Sequence, residues 1–309
     1  MLDVRRLRLL RDLARLGTIA AVAQAHTYTP SAVSQQLSAL QREAGVALLE
    51  RTGRGVALTP AGVALVEHTE TVLAALEAAS AALAAARTGL SGTVHIGAFP
   101  TAVHTLLPAA LVSLGRDHPG LDLMVTELDP AAAPEALRER RLDVALLHDY
   151  DLAPVEPDPT LDSTPLLEET VFLAVPATAD AAAPADPVGG FRDADWIAAS
   201  PGTLCRTVAV RACQAAGFTP RIRHHVDDFT AVLTLVAAGQ GVALVPQLGT
   251  GRLPDGVRLV PLPTRRRTKI AYRRGAGEHP AVAACVRALR AATEDHLPKT
   301  RTGGPPGSH

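Results

Sequence analysis

A chain of 309 residues with 47% hydrophobic content is long enough for two or three separate cores. Aromatic residues make up only 3%, so those cores must be built from Ala, Val and Leu, and a platform of rings for stacking single-stranded bases is excluded. Lys and Arg (30) nearly balance Asp and Glu (31), but unevenly: residues 1–60 hold eight arginines and four acids, a net +4, leaving −5 for the remainder.

The first sixteen residues, "MLDVRRLRLLRDLARL", are broken by charges throughout, so no leader peptide is expected there. The alanine-rich "VLAALEAASAALAAA" carries Glu77 and too many small residues for a membrane span, which makes a soluble, cytoplasmic protein the expectation. Cys205, Cys213 and Cys285 form neither a disulfide framework nor a zinc pattern. The eleven histidines are scattered, and His224 and His225 fall in a strand pattern that points them to opposite faces. With no Gly-x-Ser-x-Gly, phosphate loop or His-Glu-x-x-His, the chain is expected to have no catalytic site, metal or cofactor.

Along the chain, a first helix is predicted from Asp3 to about Leu16, with Leu7, Leu10 and Ala14 inward. Gly17 ends it and Thr18 caps a short second helix, "IAAVAQAH". After the break "TYTP", Pro30 opens a third helix. Its residues Val33, Leu37, Leu40 and Ala44 share one face, while Ser31, Ser34, Gln35, Ser38 and Arg42 fall on the other. This is the pattern of a helix-turn-helix whose third helix enters the DNA major groove, with Thr29 at its start. A hairpin turning at Gly53 to Gly55 follows as a wing, and its Arg51 and Arg54 are placed for backbone phosphates or the minor groove. Thr59 and Pro60 then start a long helix reaching about Arg87, along which Gly62, Val66, Thr69, Leu73, Leu76, Ser80 and Leu83 make a heptad seam suited to a second copy.

The stretch "LARLGTIAAVAQAHTYTPSAVSQQLSALQREAGVALLERTGRGVALTPAG", Leu13 to Gly62, resembles the N-terminal segment of LysR-type transcriptional regulators. It carries the Ala-Ala pair, the Ser-x-x-Ser-x-x-Leu run and the Glu-Arg-x-Gly-Arg wing. Many members have Arg where this chain has Gln35, and an acidic pair where it has Gln41 and Arg42, so base preference at that step does not carry over.

Beyond the hinge "GLSG", strand and helix patterns alternate: "TVHIGAF", a helix through Leu106 to Leu114, "LDLMVTEL", a helix near Pro134 to Arg140, and "DVALLH". A second series runs "ETVFLAVP", "DWIAAS", a helix from about Leu204 to Ala216, "RIRHHV", a helix Phe229 to Ala238, and "GVALVP". The chain returns as "TKIAYRR" and ends in a helix Pro280 to Thr293. Two parallel-sheet α/β lobes with a cleft at their strand ends are expected. This part, above all "LVAAGQGVALVP", is similar to the periplasmic-binding-protein-like effector domain of the same family.

The expected organisation is therefore a winged helix-turn-helix at 1–59, a linker and dimerisation helix at 60–88, and an effector-binding domain at 91–297. Its lobe I would take about 91–165 and 270–297 and its lobe II about 166–269; a disordered tail at 298–309 completes the chain. Ligand candidates sit where strands meet helix starts: Phe99, Pro100 and Thr101 from one lobe, Ser200, Gly202 and Thr203 from the other, with His148 and Asp227 at strand exits. Helix N-termini facing each other suit a carboxylate or another anion, though Thr101, Ser200 and Thr203 serve equally as caps.

The reading is a ligand-responsive DNA-binding regulator. Ser34 and Gln35 would read base edges, double-stranded DNA with a dyad-symmetric site would be the target, and self-pairing would give a dimer. The family resemblance implies further pairing to a tetramer and makes RNA polymerase a candidate partner. Two alternatives stand beside it. One is effector-independent DNA binding. The other is redox sensing through Cys205 and Cys213, which eight helical residues would hold about 12 Å apart, beyond the roughly 4.4–6.8 Å Cα range of a disulfide.

Overall fold

The computed structural model describes residues 1–53, 55–86, 89–179, 186–251 and 253–294, so Arg54 and the tail from 298 lie outside the described residues. The chain divides into two compact units, Met1–Leu83 with Arg274–Ala276, and Ala84–Arg273 with Gly277–His309.

In the first unit α1 (Val4–Leu16), α2 (Ile19–Ala25) and α3 (Pro30–Ala44) precede a hairpin of β1 (Leu49–Thr52) and β2 (Gly55–Leu58), followed by α4 (Pro60–Ala85). Each boundary has a local cause. Asp3 accepts from the backbone N–H groups of Arg5 and Arg6, Thr18 from Ala21 and Thr29 from Ala32, each satisfying donors a helix start leaves orphaned. Gly17 (φ 75°) and Gly45 (φ 69°) end α1 and α3 in the left-handed conformation. Leu7, Leu9, Leu10, Leu13, Val22, Ala23, Val33, Leu37, Leu40 and Leu48 form one core. Ala14, expected inside, is exposed; Leu9 and Leu13 take the inward positions because α1 is covered over a wider arc than one stripe. The Gln41 side-chain carbonyl accepts from the backbone N–H groups of Leu48 and Leu49, both at 3.0 Å, and so ties the end of α3 to the start of the wing.

The seam on α4 divides. Gly62, Thr69 and Leu73 are buried within the chain and Val66 packs on the core of the head, whereas Leu76 and Leu83 stay exposed together with Val72. At Gly62 a β-carbon would collide with the carbonyl of Leu48, which is why the helix can lie so close to the wing.

The second unit contains β3 (Gly92–Ala98), α5 (Pro100–Thr105), α6 (Leu107–Asp117), β4 (Leu121–Glu127), α7 (Ala133–Arg138), β5 (Val144–Tyr150) and β6 (Leu161–Pro176). Then follow β7 (Asp195–Ala198), α8 (Leu204–Ala215), β8 (Arg221–His225), α9 (Phe229–Ala237), β9 (Ala243–Pro246), β10 (Val257–Arg273) and α10 (Pro280–Thr293). The main sheet has the order β4-β3-β5-β10-β6-β9, and β7-β8 form a parallel pair. An isolated parallel bridge joins Trp196 of β7 to Val242, just before β9. Within the main sheet β3 is parallel to β4 and β5, as the alternating pattern predicts, but β10 runs antiparallel to β5 and β6. The helix expected through Leu106 to Leu114 is α6, and a short α5 precedes it: Pro108 offers no N–H to the preceding turn, and α5 gives way to α6 at Leu106.

Strands β6 and β10 are long because each passes from one lobe into the other, paired from Val257–Pro176 to Arg273–Leu161. Their register shifts twice, between Pro261 and Arg265 and between Thr268 and Lys269. On one side of this ribbon Val94, Ile96, Leu107, Leu114, Leu146, Ile270 and Leu289 build the core of lobe I. On the other, Ala174, Ile197, Val232, Val236 and Val245 make one core of lobe II, and Trp196, Cys213 and Leu262 belong to a second.

Candidate DNA-binding face and effector cleft

On α3 the buried Val33, Leu37 and Leu40 fix the helix rotation, which leaves Ser31, Ser34 and Gln35 exposed and Ser38 half-buried. Thr29 is committed as a cap: its hydroxyl accepts from Ala32 N at 3.2 Å and lies 3.0 Å from the Ser31 hydroxyl. Gln36 is drawn off this face, accepting from Arg6 Nε at 2.9 Å, while Arg6 also pairs with Glu43. Arg51 is exposed on β1 and Arg42 is exposed near the end of α3. Tyr28, which sequence reasoning took only as part of a break, is half exposed beside Thr29, with its ring stacked 6.1 Å from His26. Behind the face, buried Asp12 accepts from Arg11 Nε and lies 2.7 Å from His26 Nε2, joining α1 to α2.

In the second unit Phe99, Pro100, Thr101, His148, Thr203 and Asp227 line one cavity of about 270 Å³ between the lobes. Gly202 lines an adjoining cavity of about 470 Å³, which shares His148 and Pro130 with the first. Ser200 is bound to the site through Asp227: its N–H donates to Oδ1 at 2.8 Å and its hydroxyl to Oδ2 at 2.6 Å. Thr203 caps α8 by accepting from Arg206 N at 3.3 Å. Capping and cavity lining are thus combined in one loop.

At the floor lies Arg266, a residue the sequence reading missed. Its side chain is 1% exposed, yet it donates from Nε to Glu169 at 2.6 Å and from Nη2 to Thr101 Oγ1 at 3.1 Å. Its guanidinium also sits 4.9 Å from the centre of the Phe99 ring. Glu169, 2% exposed, accepts in addition from Leu248 N at 2.6 Å. Across the strands Arg266 is paired in register with Tyr150, and Thr268 with His148, so the four side chains share a face. His148 is buried with its ring edge-on to Phe99 (4.7 Å) and Tyr150 (5.4 Å), and among the described residues neither ring nitrogen has a partner. Burial, reinforced by Arg266, holds the His148 pKa well below the ordinary histidine value, so the ring is neutral. Burial likewise pushes the Tyr150 hydroxyl and the Cys205 thiol up; the two lie 3.4 Å apart.

A helix-turn-helix head with a wing, together with a two-lobed α/β domain that encloses a cleft, defines a ligand-binding class of DNA-binding regulator. Residues 4–63 match the model of the bacterial regulatory helix-turn-helix protein, lysR family, and residues 87–294 match the LysR substrate binding domain. The chain is similar to the transcriptional dual regulator GltC of Bacillus subtilis, 30% identical with 80% of this chain and 81% of that one covered. It is also similar to a probable hydrogen peroxide-inducible genes activator of Streptomyces viridosporus, 30% identical over 92% of this chain and 95% of that one. A solved full-length OxyR variant from Pseudomonas aeruginosa has the same fold, with a TM-score of 0.58 at 22% identity, covering 94% of this chain and 95% of that one. The chain therefore belongs to the LysR family of transcription regulators, which are DNA-binding proteins rather than enzymes. Among the described residues no helix is long and apolar enough to cross a membrane.

Proposed function

We propose that this LysR-family regulator acts in the cytoplasm as a dimer built on α4, that residues 1–59 bind a dyad-symmetric DNA site, and that a small molecule held in the cleft of residues 91–297 controls the binding. The observation that carries the reading is the cavity itself: at its wall stands a buried His148 whose two ring nitrogens have no partner among the described residues, so a bound ligand can take the hydrogen bonds they offer. Ser34 and Gln35 read base edges, Ser31 and Ser38 flank them, Arg51 and Arg54 bind phosphates, and Thr29 sets the helix start. Ligand binding changes the lobe arrangement and with it the spacing of the two heads; pairing of effector domains to a tetramer and contact with RNA polymerase extend the same scheme.

The relatives' peroxide-related names raise the redox reading. In this chain burial pushes Cys213 up to about 12 and raises Cys205, so both thiols are held protonated and poorly nucleophilic. Footprinting on duplexes selected from a randomised pool tests the scheme. A protected dyad whose spacing changes with a small metabolite supports it, whereas ligand-independent, sequence-tolerant protection refutes it.

A further inference from the structure

The charge of the ligand is written on the cavity wall. Glu127 and Asp129, at the end of β4 and just beyond it, approach from one lobe, and Asp227, after β8, from the other. Among the described residues that line the cavity, one guanidinium, Arg266, faces these three carboxylates and is already paired with a fourth, Glu169; Arg206 stands behind the wall, donating to the carbonyl of Ala199. The features that favour an anion are partly committed: two of the Arg266 nitrogens donate to Glu169 and Thr101, its Cζ lies 4.9 Å from the centre of the Phe99 ring, and the Thr203 hydroxyl takes the N–H of Arg206 at the start of α8. Helix α5, with six residues, is too short to offer a strong dipole. Asp129 accepts from Ala131 N and Asp227 from the backbone N–H and hydroxyl of Ser200, and a carboxylate has further lone pairs for a donor on a ligand.

The second observation is independent of the acids. His148 is more than nine-tenths buried on the wall of this cavity, with both ring nitrogens unpartnered among the described residues. Held neutral by its surroundings, the ring has one nitrogen that accepts and one N–H that donates, so it can take a hydrogen bond from a donor on the ligand. Leu128, Pro130, Phe99 and Phe229 complete an apolar lining.

We propose that the effector is an amine: a small molecule whose ammonium group is bound by the carboxylates of Glu127, Asp129 and Asp227, with His148 accepting a hydrogen bond and an apolar body against the Phe99 and Phe229 walls. This rests on the reading of the cleft as the effector site. Because the acids come from both lobes, a cation between them draws the lobes together, where the empty site leaves like charges facing.

Three probes of similar size and different charge separate the outcomes: phenethylamine, phenethyl alcohol and phenylacetate, each titrated into the full-length chain by calorimetry. The amine is expected to bind tighter than the alcohol by about tenfold, the gain of roughly one charge-assisted contact, with the carboxylate weakest. Glu127→Gln, at an exposed position, should remove several-fold of the amine affinity and leave the alcohol unchanged; Asp129→Asn should do the same. Equal binding of the three probes, tightest binding of phenylacetate, or an amine preference untouched by both variants overturns the amine assignment while leaving the cleft as a ligand site. No binding of any probe at millimolar concentration counts against the cleft itself, and so against the reading beneath.

Discussion

Replacing Arg266 by Met should destabilise the second unit far more than the loss of its contacts suggests. The guanidinium and the Glu169 carboxylate are 1% and 2% exposed, so neither can recover its hydration when the partner is removed. In Arg266→Met the stranded Glu169 keeps one donor, Leu248 N, and Thr101 loses its hydrogen bond from Nη2. Breaking a buried pair from one side costs about 3–5 kcal/mol. Adding Glu169→Gln removes the stranded charge while keeping an acceptor for Leu248 N, so the double variant should cost only about 1–2 kcal/mol. Urea unfolding followed by tryptophan fluorescence measures this cleanly. The chain has one Trp, Trp196, fully buried in the second unit, so the signal is not mixed with the head. A double variant as unstable as the single one, or additively worse, would refute the argument that the stranded charge is the dominant cost.

Other expectations follow from named residues. Gln35→Ala should relax preference at one base position, while Arg51→Ala or Arg54→Ala should weaken binding to all sequences and reduce the salt slope by about 1, measured by titration at several salt concentrations. The pKa of His148 is depressed in the folded chain, so below the ordinary value of 6.5 the unfolded chain binds a proton that the folded chain refuses. Stability is complete above that pH and falls as the pH drops; between about pH 7.5 and 5.5 the native chain should lose roughly 1.4 kcal/mol more than His148→Met. Asp12→Ala should destabilise the head by about 2–3 kcal/mol by removing the acceptor shared by Arg11 and His26, read from the thermal transition of the isolated DNA-binding signal. Leu76→Lys with Leu83→Lys should shift sedimentation from dimer toward monomer if the open half of the α4 seam is the contact between copies.

The head was readable because its information is local. Caps at Thr18 and Thr29, stops at Gly17 and Gly45 and the three-four spacing of Val33, Leu37 and Leu40 each act within one turn of helix. In the second unit the strand exits were also local, and six of the residues named from them share one cavity. What could not be read depends on distant partners. "TVFLAVP" and "TKIAYRR" are the apolar ends of two long strands whose remaining parts contain Pro165, Pro261 and Pro263 and a run of arginines that read as loop. Within "TRRRTK", alternation was the available signal: Arg265 and Arg267 face outward to pair with acids, and Arg266 and Thr268 face inward. That an inward arginine could be tolerated depends on Glu169, 97 positions away, which no periodicity reveals. Gln41, noted only as a departure from the family pattern, is a clamp on the wing for the same reason.

The crossing ribbon has a mechanical meaning. Strands β6 and β10 bind each other through both lobes, and their two register shifts fall on either side of the segment from Arg265 to Thr268. Compliance is thus concentrated at two points, with a stiff, regularly paired bar between them that carries Arg266. Lobes turning about such a bar would pivot at its ends rather than through its middle, so the floor of the cavity keeps its geometry while the walls move. A receptor built this way can alter its walls for a new ligand without redesigning the joint that converts occupancy into motion.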